Sequence, residues 1–112
     1  MFENATNYCH TKTGNIYEYL TDVSPTNAVP KKFTSCLTAS CSETLEKVKI
    51  YYEDNEWYFV TEENPNMHQN TSIKVLYERD TVLWLRSKDM FHEPVVINGE
   101  KRPRFEKVED TQ

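Results

Sequence analysis

Only two glycines, Gly14 and Gly99, occur in the 112 residues. Phosphate-cradling loops need several glycines for tight turns and close backbone approach, so the familiar nucleotide motifs are excluded. No apolar run approaches the roughly 20 residues that a bilayer-spanning helix requires, and no membrane partner is expected. The opening Met1-Phe2-Glu3-Asn4-Ala5-Thr6 has no basic stretch followed by an apolar one, so no secretory leader is expected. Cysteine is sparse and odd in number: Cys9, Cys36 and Cys41 cannot all pair internally. Without an export signal, three reduced thiols in a cytoplasmic setting are expected. Cys36 and Cys41 stand five apart, outside the usual spacing of paired zinc ligands, so neither a metal nor another cofactor is expected. Basic residues are outnumbered, 13 Lys and Arg against 18 Asp and Glu, for a formal net charge of -5. That balance argues against non-specific duplex binding, which rests on several phosphate contacts.

What the chain does have is aromatic side chains: five Phe, seven Tyr and two Trp. Large rings let a small core bury much area in few positions. The length predicts one domain over residues 1–112, with its core at about 10–106. The dominant period is two. Val48, Ile50 and Tyr52 share one face of Glu46–Tyr52, and Lys47 and Lys49 the other, the pattern of a half-buried strand. Residues Glu56–Thr61 and Ser72–Tyr77 read as further strands, the second with Ile73, Val75 and Tyr77 together. Thr81–Arg86 is apolar on both faces and reads as a central strand. Asn15–Leu20 and Phe33–Thr38 are strand-like too. Asn98-Gly99, between Pro94–Ile97 and Glu100–Arg102, predicts a tight hairpin, since both residues tolerate positive φ. Pro103 then ends the returning strand or sits at an edge. Ser87–Phe91 has room for one helical turn, with Ser87 as its cap and Met90 and Phe91 turned inward. Residues 21–32 and 61–70 read as polar loops, and Lys107 to Gln112 as a frayed tail. The expected fold is an all-β small barrel or sandwich with at most one short helical turn.

Several strings stand in one order: Gly14-Asn15-Ile16-Tyr17, Ser42-Glu43-Thr44-Leu45-Glu46, Val48-Lys49-Ile50-Tyr51, Leu83-Trp84-Leu85-Arg86 and Met90-Phe91. They continue through Val95–Gly99 to Pro103-Arg104-Phe105. In this the chain resembles a small bacterial and phage domain family of unknown function, DUF1653. Its members carry a His-Ser-Glu-Thr signature, then Trp-Val-Arg-Pro, a Met-Phe pair and a terminal Pro-Arg-Phe. The resemblance spans roughly residues 10–106 and implies an SH3-like β-barrel without supplying an activity. Cys41 stands where the signature His would be, and Ser87 where Pro commonly follows the Arg. Residues 53–71 look like an insertion relative to the compact form.

Candidate site residues follow from chemistry. Ser42, Glu43, Thr44 and Glu46 put two hydroxyls and two carboxylates in five residues, suited to a ligand with amine or amide donors. The same residues suit a turn whose hydroxyls bond local backbone. Arg86, after the apolar strand that holds Trp84, could clamp a phosphate or carboxylate bidentately, or pair internally with Glu43 or Glu46. Lys101, Arg102 and Arg104 form a basic end beside Phe105, fit for a phosphorylated molecule or single-stranded nucleic acid, or for a solvated face balanced by Glu100, Glu106 and Glu109. Cys41 as a nucleophile would need a base and an oxyanion site that spacing cannot reveal. His10, His68 and His92 carry no motif. The surplus of Tyr and Trp predicts that some rings line a groove or a subunit contact, and a homodimer is one expectation.

Taken together, these features predict a binding module rather than an enzyme. Its ligand is expected to be a small polar or nucleotide-like molecule, or a peptide. The predicted site joins Ser42, Glu43, Thr44, Glu46, Trp84, Arg86 and Arg104, with no catalytic residue. A phage-encoded sequestering protein is one form of this reading. The alternatives are a nucleic-acid- or translation-associated adaptor using the basic end, with nucleic acid the less expected partner, and a small hydrolase or thiol enzyme using Cys41.

Overall fold

The structure is a computed structural model that describes Phe2 and residues 5–108. Ten strands follow in order: β1 (Thr6–His10), β2 (Ile16–Thr26), β3 (Ser35–Cys41), β4 (Lys47–Glu53), β5 (Glu56–Val60), β6 (Lys74–Arg79), β7 (Val82–Ser87), β8 (Pro94–Ile97), β9 (Glu100–Pro103) and β10 (Phe105–Lys107). A 3₁₀ turn covers Thr61–Glu63, and the one α-helix among the described residues, α1, covers Lys88–Phe91. Strands β2, β5, β4, β3, β7 and β6 pair in that order, and β6 pairs back onto β2, which closes a six-stranded barrel. The fold is therefore an all-β small barrel.

Closure depends on β2. Its Val23 pairs with Trp57 of β5 on one edge and with Lys74 of β6 on the other. Along its first half, Ile16–Tyr19, β1 takes the place of β5, and β1 carries β10 on its far side. The register against β6 shifts between Tyr19 and Thr21, a bulge that bends the strand and turns Leu20 inward. Strand β2 thus runs through Thr26, where the first half of a polar loop 21–32 was expected. Pro25 is tolerated in the strand because it lies beyond the last β6 pairing, where that edge of β2 is open.

Three two-residue hairpins share one geometry. Asp54-Asn55, Asp80-Thr81 and Asn98-Gly99 all have positive φ, between 51° and 82°. They join Glu53 to Glu56, Arg79 to Val82, and Ile97 to Glu100. Two left-handed residues match the twist of the flanking strands, the reason such turns dominate short hairpins. The Asn98-Gly99 hairpin is as expected. Thr81 is the costly one, since β-branched residues rarely adopt positive φ, and it belongs to the turn rather than to the next strand.

The interior follows the period-two pattern. Val48 and Ile50 from β4, Trp57 and Phe59 from β5, Leu76 from β6 and Leu85 from β7 are buried there, with Ala39, Cys41, Leu20, Val23 and Met67. Phe2 stacks on Trp57 at 5.8 Å between ring centroids. Lys74 also points inward and is only 1% exposed. Its ammonium donates to the Gln69 and Ser72 carbonyls and to Ser72 Oγ at 2.9 Å, and lies 5.3 Å from the Phe59 ring centroid. With its donors used, Lys74 ties the 69–72 segment across the barrel end, while its pKa is lowered by desolvation. The segment 61–70, expected as a plain polar loop, begins with the 3₁₀ turn and buries Asn64 and Met67.

A second core lies outside the barrel. Val75 and Tyr77 of β6 face outward, where Phe91 and Phe105 cover them. Tyr8, Tyr17, Tyr19 and Trp84 pack around these. The two sides of β6 are therefore both buried, which its alternating pattern concealed. Ile73 falls outside the strand and is 43% exposed. Strand β7 is central in the sheet, between β3 and β6, but Val82 is exposed and Trp84 and Arg86 are only half-buried. Ser87 precedes α1 without capping it: the hydroxyl is buried and unpartnered among the described residues. Phe91 is fully buried and Met90 partly so. Val108 still donates its N–H to Asn7, so the expected tail begins later than Lys107; residues 109–112 lie outside the described residues.

Candidate ligand-binding site

Strand alternation decides which side chains reach the outer face. Leu83 and Leu85 pack in the barrel, which leaves Trp84 and Arg86 outside. Across β6, Tyr77 stands opposite Trp84 and Val75 opposite Arg86. On the other side β3 runs parallel to β7, with Ser40 beside Trp84 and Cys41 beside Leu85. Ser42 extends this register by donating its N–H to the Leu85 carbonyl at 2.9 Å. Its hydroxyl then accepts from Arg86 Nε at 3.2 Å.

The Arg86 guanidinium carbon lies 5.7 Å from the centroid of the Phe105 ring. Phe105 stacks in parallel on Phe91 at 4.1 Å, so the opposite face is the one left to Arg86. His10 meets the same ring edge-on at 5.0 Å, with Nδ1 3.2 Å from Thr13 Oγ1. Tyr17 and Tyr77 also meet it edge-on. Arg104 precedes Phe105 in the chain. Its terminal nitrogen is 3.7 Å from the Glu93 carboxylate, and its buried Nε has no partner among the described residues.

The charges that act on His10 are all positive. Burial lowers the pKa of His10, and the charges of Arg86, Arg104 and Lys12 lower it further. Burial pushes the Tyr77 hydroxyl up, opposed by the Arg86 charge and by hydrogen bonding to Ser42 and Arg86. Among the described residues, no carboxylate forms an ion pair with Arg86. With Nε engaged by Ser42 and one bond going to the Tyr77 hydroxyl, the remaining terminal N–H groups of Arg86 are the donors suited to an oxyanion.

Of the predicted residues, Ser42, Trp84 and Arg86 meet on this face, and Arg104 joins them through Phe105 and His10. Glu43, Thr44 and Glu46 do not. They belong to the turn between β3 and β4, where Leu45 has φ of 64° and donates its N–H to the Cys41 carbonyl at 2.8 Å. Thr44 Oγ1 accepts from the Glu46 N–H at 3.2 Å, and Glu46 accepts from Asn66 Nδ2 at 3.3 Å. Glu43 is exposed, and its charge acts on Lys74. The expected pairing of Arg86 with Glu43 or Glu46 is replaced by the Ser42 hydroxyl. At the basic end, Arg102 pairs with Glu106 at 2.7 Å. Cys41 is 3% exposed within the barrel core, where a thiol packs as a small apolar group.

Tyr77, Phe105 and His10 are the residues that reading the sequence missed as a unit. Tyr77 could have been found from its alternation with the apolar interior positions of β6. His10 had no such signal, because the β1–β2 hairpin brings it to the site. A separate open cleft of about 720 Å³ lies beside α1 and includes His68, Lys88, Asp89, His92 and Glu93. Its charges are mixed, and Lys88 is already paired with Asp22 at 2.7 Å.

The family model described as Protein of unknown function (DUF1653) matches residues 32–107. This segment holds β3 through β10, with the Ser42, Trp84, Arg86 and Arg104 positions. The Gly14–Tyr17 string, β1 and β2 precede it. Neither a curated protein nor a solved structure matches the chain. With more than half of its residues under the family model, and every motif string after Gly14–Tyr17 inside the match, the chain belongs to the DUF1653 family of proteins of unknown function.

Proposed function

We propose that the protein is a non-enzymatic, SH3-like binding module for a small polar anion, held on the outer aromatic face with Arg86 as its anchor. The observation that carries this reading is the state of Arg86. It is half-buried, positioned by Ser42 and the Phe105 ring, and without a carboxylate partner among the described residues. A guanidinium held this way has already lost part of its hydration and rotamer freedom, so an oxyanion gains more from it than from a mobile surface arginine. Trp84, half-buried on the same face, offers ring surface beside it for an aromatic portion of the ligand. The three free thiols suit action in the reducing cytoplasm. The adaptor reading draws less support, because Arg102 at the basic end is already paired with Glu106.

Native mass spectrometry of protein purified gently from its own cells tests the proposal. The expected result is an adduct of small-molecule mass that disappears in Arg86→Ala and persists in Glu43→Ala. Bare wild-type protein, or an adduct indifferent to Arg86, would overturn it. The same spectrum reports whether the chain is a monomer or a homodimer.

A further inference from the structure

The outer face gathers more positive charge than one carboxylate would call for. Arg86 comes from β7, Arg104 from the residue before β10, and His10 and Lys12 from the end of β1 and the turn after it. Arg86 and His10 share the Phe105 ring, one over its face and the other in a T-shaped contact at 5.0 Å. Arg104 presents a buried N–H with no partner among the described residues. We propose that this patch is a phosphomonoester site, in which Arg86 and Arg104 hold the phosphoryl oxygens and His10 completes the ring of donors. The inference rests on the anion-binding reading above and names the class of anion.

The argument is one of charge and donors. A phosphomonoester carries a charge of about -1.5 to -2 near neutral pH and three acceptor oxygens. A carboxylate has a single charge and is satisfied by one guanidinium fork. Arg86 and His10 on one ring, with the Arg104 charge close enough to act on His10, exceed the needs of the second and match those of the first. Glu93 is the carboxylate at the rim, 3.7 Å from Arg104 and 53% exposed, a loose contact that an incoming dianion can displace.

His10 makes the site proton-linked. The groups that face it are Arg86 of β7, Arg104 and Phe105, Tyr17 of β2, and Lys12 and Thr13 of its own turn. Arg79 lies over Tyr17, and Glu106, next to Phe105, is bonded to Arg102. The neighbouring cations disfavour a charged imidazole in the free protein. A phosphoryl group placed among them reverses that field, so binding draws a proton onto His10.

Phenyl phosphate and benzoate are the probes, followed by NMR titration of the His10 ring and by calorimetry on the full chain. Phenyl phosphate is expected to raise the His10 midpoint by about one pH unit, and to bind at least about tenfold tighter than benzoate. Arg86→Lys, which keeps the charge and loses the fork, should weaken phenyl phosphate about tenfold. His10→Gln should abolish the part of the proton uptake due to the imidazole, and Glu93→Gln should tighten binding. If phenyl phosphate binds and depends on Arg86 while the His10 midpoint stays still, the role of His10 fails and the anion-binding reading stands. Equal affinity for benzoate overturns the phosphate class alone. No binding of either probe, together with an adduct-free native spectrum, overturns both readings.

Discussion

Inside the barrel, Val23, Val48, Ile50, Leu76 and Leu85 surround Phe59 and Trp57; outside it, Tyr8, Tyr17, Tyr19 and Tyr77 gather around Phe91 and Phe105. Both regions are buried, yet they differ in kind. The interior is mainly aliphatic and links strands that hydrogen bonding already joins into a ring. The outer layer is built of rings meeting mostly edge to face around the parallel Phe91–Phe105 stack, and it fastens β1, β10 and α1 onto that ring. Aromatic side chains suit the second task because each presents a wide apolar body and, for Tyr and His, a polar tip that can reach the rim. The proposed site lies on the outer layer for the same reason: a closed interior leaves no polar tip accessible, whereas Arg86, Ser42 and His10 are only partly buried beside the outer rings.

Large-to-small substitutions test this difference most strongly. Phe59→Ala, at the centre of the barrel, is expected to cost about 3–5 kcal/mol and to lower the whole denaturation curve. Phe91→Leu removes the stacking partner of Phe105 and should cost about 1–2 kcal/mol. Its signature is local. Amide exchange should quicken in β1, β10 and α1 while β3, β4 and β5 keep their protection. Uniform loss of protection would mean that the two cores unfold as one unit.

A pH profile gives a finer contrast. The folded pKa of His10 lies below its ordinary 6.5, with burial the first cause and the Arg86 charge the next. Between those two values the unfolded chain binds more protons, so stability rises with pH across the window and is lost as pH falls through it. His10→Gln should flatten this slope in thermal unfolding between mildly acidic and neutral pH. An unchanged slope would remove His10 from the charge network. The smallest effect is expected at Arg102, whose pair with Glu106 is about half exposed. Arg102→Ala should cost about 0.2–1 kcal/mol in denaturant melts, less at high salt. A larger loss would show that the β9–β10 corner is tied into the outer core.

Legibility from the sequence followed locality. The β4 alternation of Val48, Ile50 and Tyr52 against Lys47 and Lys49 was readable because one face meets the core and the other meets water. The Asn98-Gly99 turn was readable because both residues tolerate the backbone they adopt. Strand β1 was not, since Thr6-Asn7-Tyr8-Cys9-His10 has little alternation and is a strand because β2 and β10 flank it. Ser42 and Arg86 were legible as polar residues at strand ends. Their contact was not, because the parallel β3–β7 register that joins them spans 44 residues of chain.

The sequence alone determined an all-β chain, the short hairpin at Asn98-Gly99, the absence of a glycine-rich phosphate loop, and the set of polar groups available for a site. Those properties rest on backbone preference and on side-chain chemistry, which act within a few residues. Tertiary structure decided the closure of the barrel through both edges of β2, the second core that surplus aromatics build outside it, and the meeting of Arg86 with Ser42, Phe105 and His10. Each of these joins segments tens of residues apart, and the free energy that selects one such pairing over others comes from packing many side chains at once rather than from any local pattern.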